Sequence, residues 1–338
     1  MVQLESPGLT DTLLFFVICL IFTLVLYFVH HLNKLRKTMF SGSIVALATP
    51  FTKDNAVDFP ALGSLIEWHI AEGTSAVVLC GTTGEAPTLS HDEQIKMIKE
   101  GVKISKGRIP VIAGTGGYDT RSSVMNTKAA KECGADACLI ILPYYNRPTP
   151  EGCLAHFIEI GKTGFPMIVY HHPGRTGIKL PAKMLAQICE IPSVVAVKEA
   201  SGDLDYAIEL MQKTSKPLLS GDDTLTIPLM ASGAVGVISI VANVIPREWV
   251  RLTALLASSS LAGAQEHFKR FYSLCKAMVL ETNPQCVKYA LSLMGKCQSM
   301  MRLPLLEPQE MHKMQIRAEM EKAGLLSKRA ILEELQIR

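Results

Sequence analysis

Eight short runs of apolar residues recur along this chain, and amphipathic stretches separate them. The runs are rich in valine and isoleucine and do not alternate with polar residues, as is typical of parallel strands covered on both faces. Strand–helix alternation repeated eight times predicts an α/β fold, a (β/α)8 TIM barrel. An open doubly wound sheet is the alternative, but the first run lacks a G-x-G-x-x-G turn. The apolar runs are Ser43–Thr49, Ser75–Cys80, Ile109–Ala113, Ala137–Leu142, Pro166–Tyr170, Val194–Lys198, Pro217–Ser220 and Gly236–Val241.

The stretches between these runs carry helix signals. Apolar residues fall on one face of Asp58–Glu72, and Ser90–Lys103 opens with the spacing of a capping box. Ser122–Glu132 ends just before a glycine, and Pro181–Cys189 starts with a proline. We therefore predict helices in these four places.

Three segments follow from this pattern. The barrel is predicted over residues 39–262 and a C-terminal helical extension over residues 263–338, because the pattern is helical from Ala264 to about Leu326. Residues 1–38 form a hydrophobic leader that stands apart from both.

The leader contains Leu13–Val29, a run of 17 uncharged residues in the sequence. This length is at the short end of what a membrane-spanning helix needs. The positive residues that follow the run would place the rest of the chain in the cytoplasm if the leader inserts. Alternatively, Met39 is the true start and the leader is never translated. Both interpretations stay open, and both predict a cytoplasmic catalytic domain with membrane contact only through the leader.

Composition excludes several classes of protein. The 338 residues carry a net charge of +3, with 48% hydrophobic and 19% charged residues, which fits a folded globular chain. No basic stripe occurs beyond the leader, so we expect no nucleic-acid partner. The nine cysteines are an odd number and form no C-x-x-C pair, which indicates reduced thiols in a cytosolic compartment.

Lys198 is the strongest candidate for a catalytic residue. Active sites of such barrels lie at the carboxyl ends of the strands, and Lys198 ends the sixth run. Alternation along that run puts Val194, Ala196 and Lys198 on one side. If that side faces the barrel, burial lowers the lysine pKa, and the neutral amine can attack a ketone to form a Schiff base. A strand-end lysine that points to solvent is the alternative.

Three further groups of candidate residues end or follow other runs. Tyr170 ends the fifth run and should lie beside Lys198, where a phenol can move protons. Thr82 and Thr83 lie in a Gly-Thr-Thr-Gly turn whose N–H groups and hydroxyls suit a carboxylate. Arg175 follows Tyr170 closely and could hold a second carboxylate. Taken singly, each has a plainer alternative: a core tyrosine, a simple turn and a surface arginine.

Metal binding is not expected. His171 and His172 are adjacent, so in a strand they point to opposite faces and do not readily share one ion. No carboxylate or cysteine cluster stands nearby at ligand spacing.

From Met39 to about Leu326 the chain resembles the dihydrodipicolinate synthase family, which belongs to the class I pyruvate aldolases together with N-acetylneuraminate lyase. The motifs that carry the resemblance occur in the order typical of the family. They are GTTGE (81–85), IPVIAGTG (109–116), PYYNRP (143–148), P-x-R-T-G (173–177), VKEASGD (197–203) and LSGDD (219–223).

The resemblance implies condensation of pyruvate with L-aspartate 4-semialdehyde, toward lysine and diaminopimelate, without a metal or organic cofactor. It also implies a homotetramer built as a dimer of dimers, in which Tyr145 reaches the site of a neighbouring subunit. The implied site roles are a Schiff base at Lys198, a proton relay of Tyr170, Thr82 and Tyr145, pyruvate carboxylate binding at Thr83, aldehyde carboxylate binding at Arg175, and a pocket lined by Gly221 and Ile238.

The chain departs from the family pattern beside the aldehyde site. After Tyr170 the family has Asn, then an apolar residue, and a Ser before the arginine, whereas this chain has His171, His172 and Gly174. Gln285-Cys286 replaces the usual Ile-Pro. These changes leave the aldehyde specificity open.

Regulation by lysine is a second point of departure. His91 and Tyr144 match the family's inhibitory lysine site, but Gln94, Tyr118 and Ser122 stand where His, Asn and Glu are typical. The resemblance therefore predicts weak or absent inhibition by lysine.

Three rival functions remain at this point. One is another class I aldolase that cleaves sialic acid or a 4-hydroxy-2-oxo acid. Another is a non-catalytic pyruvate-binding protein, which the set of Lys198, Tyr170, Thr82 and Tyr145 argues against. A metal-dependent aldolase would need ligands that this sequence lacks.

Overall fold

The structure is a computed structural model that describes residues 40–326. The predicted leader and residues 327–338 lie outside this range. Within it, eight parallel strands form a closed barrel, each paired with the next and the eighth with the first. The predicted TIM barrel is confirmed. The strands are β1 (Gly42–Ala46), β2 (Ala76–Leu79), β3 (Val111–Gly114), β4 (Ala137–Ile141), β5 (Met167–His171), β6 (Val194–Glu199), β7 (Leu218–Ser220) and β8 (Gly236–Ser239).

Helices connect the strands and continue after β8. Short 3-10 turns lie at Ala86–Thr88 and Val241–Asn243. The helices are α1 (Phe59–Ala71), α2 (His91–Ser105), α3 (Thr120–Glu132), α4 (Pro150–Gly161), α5 (Pro173–Thr176), α6 (Ala182–Cys189), α7 (Leu204–Lys213), α8 (Thr226–Ala231), α9 (Pro246–Ala257), α10 (Leu261–Lys269), α11 (Tyr272–Ala277), α12 (Gln285–Leu293) and α13 (Glu310–Lys322).

Two apolar layers explain why the strands do not alternate with polar residues. In β1, Ile44 and Ala46 join the cluster inside the barrel, whereas Val45 packs in the larger cluster between strands and helices. Both faces of each strand are thus buried, as in parallel sheets covered on both sides.

Two of the predicted helix starts agree with the caps that form, and a third helix begins earlier. Asp58 accepts a hydrogen bond from the Ala61 N–H, and Ser90 and Glu93 form the predicted capping box. Helix α3 starts at Thr120, two positions earlier than predicted, because the Asp119 carboxylate caps it by accepting from the Ser122 N–H.

The predicted alternation is wrong at the start of β6. The register between β5 and β6 shifts, so that Met167 pairs with Val194 but Ile168 pairs with Ala196. Val194 therefore packs in the outer cluster and Val195 against the inner one. The extra residue in β6 reverses the facing of the strand's first two side chains.

The four helices after α9 join the same outer apolar layer. Their buried residues include Ala264, Leu274, Val287, Leu291 and Ile316, all members of the cluster that packs around the barrel. Within residues 40–326, no helix is long and apolar enough to cross a membrane. The cysteines in this part of the chain are all free thiols.

Candidate active site

Lys198 and Tyr170 are brought together by the pairing of β5 with β6. The two residues are register partners, and the Lys198 Nζ lies 4.2 Å from the centroid of the Tyr170 ring. Both side chains face the interior of the barrel at the carboxyl ends of their strands. The predicted adjacency is confirmed, and the alternative of a solvent-directed Lys198 is excluded because the residue is only 5% exposed.

The surroundings of Lys198 favour the neutral amine. Burial, reinforced by the positive charge of Arg175, lowers the pKa of Lys198 to about 7, although the Asp223 carboxylate acts in the opposite direction. At pH 7 about half of the protein molecules therefore carry Lys198 as the neutral amine. The neutral amine is the form that attacks a carbonyl carbon.

The Tyr170 phenol remains protonated near neutral pH. Burial raises the pKa of Tyr170 to about 12, while Arg175 and a hydrogen bond with the Thr82 side chain lower it. The phenol and the Thr82 hydroxyl form a hydrogen-bonded pair next to the lysine, so a proton can pass between them and a bound molecule.

Asp223 is a site residue that sequence analysis did not single out, although it lies in the LSGDD motif. Its Oδ2 accepts hydrogen bonds from the N–H groups of Ile240 (3.0 Å) and Val241 (2.8 Å). Burial raises the pKa of Asp223 to about 6, with the hydrogen bonds opposing this. The negative charge of this carboxylate favours the protonated form of Lys198 and so raises the pKa of the lysine.

The Gly81–Gly84 turn is tied to the C-terminal helices by Asn283. The Asn283 Nδ2 donates to the Thr83 Oγ1 at 2.9 Å, and the Arg175 Nη2 donates to the Asn283 carbonyl oxygen at 3.3 Å. Asn283 thus links the two groups predicted to bind carboxylates. It was missed because no sequence signal places a residue 200 positions away from Thr83 beside it.

A buried ion pair supports the same turn. The Lys288 Nζ lies 2.7 Å from the Glu85 Oε1, and both side chains are sealed from solvent. The Arg302 N–H donates to the other Glu85 oxygen at 3.1 Å. Glu85 has a φ of 55°, so these contacts hold a residue in the left-handed region directly after the threonine turn.

A small cavity of about 40 Å³ lies beside Lys198, within reach of its amine. An adjoining cavity of about 540 Å³ shares six of its lining residues: Gly81, Thr82, Leu139, Tyr170, Arg175 and Asn283. The smaller cavity is lined by Ala46, Val78, Gly81, Thr82, Thr83, Leu139, Tyr170, His172, Arg175, Lys198, Gly221, Ile240 and Asn283.

Gly221 and Ile238 differ in their relation to this cavity. A Cβ at Gly221 would lie 2.5 Å from the Ala200 Cβ and 2.9 Å from the Glu199 carbonyl oxygen, so only glycine fits at this position beside Lys198. Ile238 is buried in the inner barrel cluster, and among the described residues it is Ile240 rather than Ile238 that lines the cavity.

Tyr145 stands apart from the other predicted site residues. Its side chain is 92% exposed, and its φ of 67° turns the chain outward after β4. Its neighbour Tyr144 lines the larger cavity and contacts the Tyr118 ring edge to face at 5.4 Å. Within one subunit, Tyr145 does not complete the site.

The two adjacent histidines face opposite sides, as predicted. His171 is buried outside the barrel, with its Nδ1 2.6 Å from the Glu199 Oε2, whereas His172 lines the small cavity. In the part of the chain that the structure describes, no group of three or more His, Cys, Asp or Glu side chains has a metal-binding arrangement.

The residues that differ from the lysine-inhibited pattern line the larger cavity. Gln94, Tyr118 and Ser122 are all among its walls. The Gln94 Nε2 donates to the Ala86 carbonyl oxygen at 3.1 Å, so its amide is engaged by the protein itself.

Comparisons with known proteins show which family this chain belongs to. Residues 39–323 match the model of the dihydrodipicolinate synthetase family. The 4-hydroxy-tetrahydrodipicolinate synthase of Thermodesulfovibrio yellowstonii is 44% identical over 291 residues, which are 85% of this chain and 100% of that protein.

Solved structures of the family superimpose closely. Dihydrodipicolinate synthase from Aquifex aeolicus has a TM-score of 0.84 at 42% identity, covering 86% of this chain and 100% of that one. The chloride-inhibited Acinetobacter baumannii enzyme complexed with pyruvate has a TM-score of 0.83 at 40% identity, covering 85% and 99%. A monomeric dihydrodipicolinate synthase variant has a TM-score of 0.83 at 36% identity, covering 86% and 99%. This chain belongs to the dihydrodipicolinate synthetase family.

Proposed function

We propose that the protein is a 4-hydroxy-tetrahydrodipicolinate synthase, a lyase that condenses pyruvate with L-aspartate 4-semialdehyde in lysine and diaminopimelate biosynthesis. The observation that carries the proposal is Lys198, buried beside Tyr170 at a cavity and with a pKa lowered to about 7. Family membership and the names of the similar proteins support the same reaction.

The reaction begins with attack of the Lys198 amine on the carbonyl carbon of pyruvate. Loss of one water gives a Schiff base, and loss of a methyl proton converts it to an enamine. The enamine carbon then bonds to the aldehyde carbon, whose oxygen gains a proton. Finally, the amino group of the aldehyde substrate attacks the imine carbon, which closes the ring and releases Lys198.

Protons move through the hydroxyl groups at the site. Tyr170 and Thr82 are hydrogen-bonded to each other next to Lys198, so they can receive and return protons at each step. We assign Tyr145 of a neighbouring subunit as the third member of the relay, which its exposure at the surface would allow. Together these groups connect the buried lysine to solvent.

The substrates are held by their carboxylates. We assign the pyruvate carboxylate to Thr83, whose hydroxyl is positioned by Asn283, and the aldehyde carboxylate to Arg175, which extends over the cavity. Gly221 leaves space for the lysine, and Ile238 closes the barrel beneath the site. Two anion sites that share one cavity with the amine suit a condensation between two small acids.

Assembly follows from the role assigned to Tyr145. We propose a homo-oligomer, a homotetramer built as a dimer of dimers, because the relay needs a tyrosine from another subunit. We retain residues 39–262 as the catalytic barrel and 263–338 as a helical extension that completes the site through Asn283. The cytoplasmic location expected from the reduced cysteines stays a prediction, as does weak inhibition by lysine.

Turnover assays test the assignment of substrates. We expect ring product from pyruvate plus L-aspartate 4-semialdehyde, at a rate at least a hundredfold above any cleavage of N-acetylneuraminate or 4-hydroxy-2-oxoglutarate. Preferred cleavage of either oxo acid would replace this proposal with another class I aldolase.

A further inference from the structure

His172 is a polar side chain at the cavity where an apolar residue is expected. It follows β5 directly, and its ring contacts that of Tyr170 edge to face with centroids 5.7 Å apart. It lines the small cavity together with Lys198 and Arg175. Nothing in the proposed mechanism uses it.

Gly174 makes room for the imidazole. A Cβ at Gly174 would lie 3.3 Å from the His172 Cε1 and 3.5 Å from its Nδ1. The first distance is tighter than ordinary van der Waals contact, so a larger residue would displace the ring. The two departures from the family pattern therefore form one unit.

The same turn carries Arg175. The N–H groups of Arg175 and Thr176 both donate to the His172 carbonyl oxygen, at 3.0 and 3.1 Å. The imidazole and the guanidinium are thus presented from one short turn. Both side chains line the small cavity, so a small molecule bound there can contact both.

The ring has an uncommitted nitrogen. Within residues 40–326, His172 Nδ1 is buried without a hydrogen-bond partner. Burial, together with the nearby cations of Arg175 and Lys198, lowers the pKa of His172 to about 4. The imidazole is therefore neutral at pH 7 and can donate or accept a hydrogen bond.

We propose that His172 is a specificity-determining residue that binds the acceptor aldehyde through its imidazole, with Gly174 setting the position of the ring. The class of ligand is a short aldehyde that carries a carboxylate for Arg175 and a second polar group for His172. This inference rests on the proposed function and deepens it.

Substitution of His172 should change the KM for the aldehyde but not the KM for pyruvate. For His172→Val we expect a rise of about tenfold in the KM for L-aspartate 4-semialdehyde, the effect of one lost hydrogen bond. The KM for pyruvate and the yield of borohydride-trapped pyruvate adduct should stay unchanged. His172→Gln, whose amide also donates and accepts hydrogen bonds, should keep the aldehyde KM within about threefold of that of the unmodified protein.

Gly174→Ala tests the coupling between the two residues. It should raise the aldehyde KM alone, but have no further effect in the His172→Val background, where no ring is displaced. If His172→Val failed to fold, Gly174→Ala and His172→Gln would carry the test. An unchanged aldehyde KM in the folded variants, or equal changes for both substrates, would overturn the proposal. Absence of a pyruvate adduct in the unmodified protein would instead overturn the proposed function.

Discussion

At the scale of single residues, the chemistry depends on a lysine that is neutral when it meets its substrate. Lys198 has this property because it is buried and because Arg175 adds a positive charge. An unperturbed lysine has a pKa of about 10.4 and is almost wholly protonated at pH 7. Burial at this position therefore makes the lysine amine reactive near neutral pH.

The rate of Schiff base formation should follow the ionisation of Lys198. The deprotonated amine is the reactive form, so the rate should rise with pH, reach half its maximum near pH 7 and level off above about pH 8. The measurement is the initial rate of pyruvate adduct formation, quenched with borohydride over a pH series. A rate that keeps rising up to pH 10 would show that the lysine is not perturbed.

Asp223 should hold the pKa of Lys198 higher than burial alone would leave it. Removing its negative charge in Asp223→Asn should move the midpoint of the same pH profile to lower pH, because an opposite charge favours the protonated amine. Asp222→Asn is the matched control and should leave the midpoint unchanged. A midpoint that stays or rises in Asp223→Asn would contradict this account.

At the scale of elements, the threonine turn after β2 is held from the C-terminal helices. Lys288 on α12 pairs with Glu85 in a site where both side chains are buried, and Lys288 also lies over the Phe51 ring at 4.1 Å. Burial lowers the pKa of Lys288, while Glu85 raises it. The pair ties the extension to the barrel at the site itself.

Breaking this pair should destabilise the fold. Lys288→Met leaves the Glu85 carboxylate buried without its cation, which typically costs about 3–5 kcal/mol in the free energy of unfolding. Urea unfolding measures the loss. Lys162→Met, which removes a solvent-exposed pair with Glu159, is the control and should have little effect. A small loss for Lys288→Met would mean that Glu85 finds another partner.

Sequence analysis predicted some of these features and missed others, and the difference has physical reasons. The strands could be predicted, and so could the direction in which the Lys198 and Tyr170 side chains point. Residue periodicity and strand order determine these two features. The direction of the Val194 side chain could not be predicted, because a register shift leaves no local signal in the sequence. Asn283 and Lys288 could not either, since their partners lie 200 and 203 positions away in the sequence.

At the scale of the whole molecule, activity should depend on assembly. Tyr145 is 92% exposed and lies away from Lys198 in its own subunit, so the assigned relay needs a second copy of the chain. A tyrosine held out to solvent with a left-handed backbone suits insertion into a neighbouring subunit.

Tyr145→Phe should lower kcat by about a hundredfold, the usual contribution of a general acid or base, while still forming the pyruvate adduct. Tyr272→Phe, which changes another exposed tyrosine, should retain full activity. Sedimentation at assay concentration establishes the assembly. A fully active monomer, or an unaffected Tyr145→Phe variant, would contradict the shared relay.

The central claim is that Lys198 forms a Schiff base with pyruvate, and intact mass after borohydride reduction tests it most directly. We predict a pyruvate-sized adduct on the protein that starts at Met39, located at Lys198 by peptide mapping and missing from the Lys198→Ala variant. No adduct on either protein, or an adduct that persists in the variant, would contradict the account.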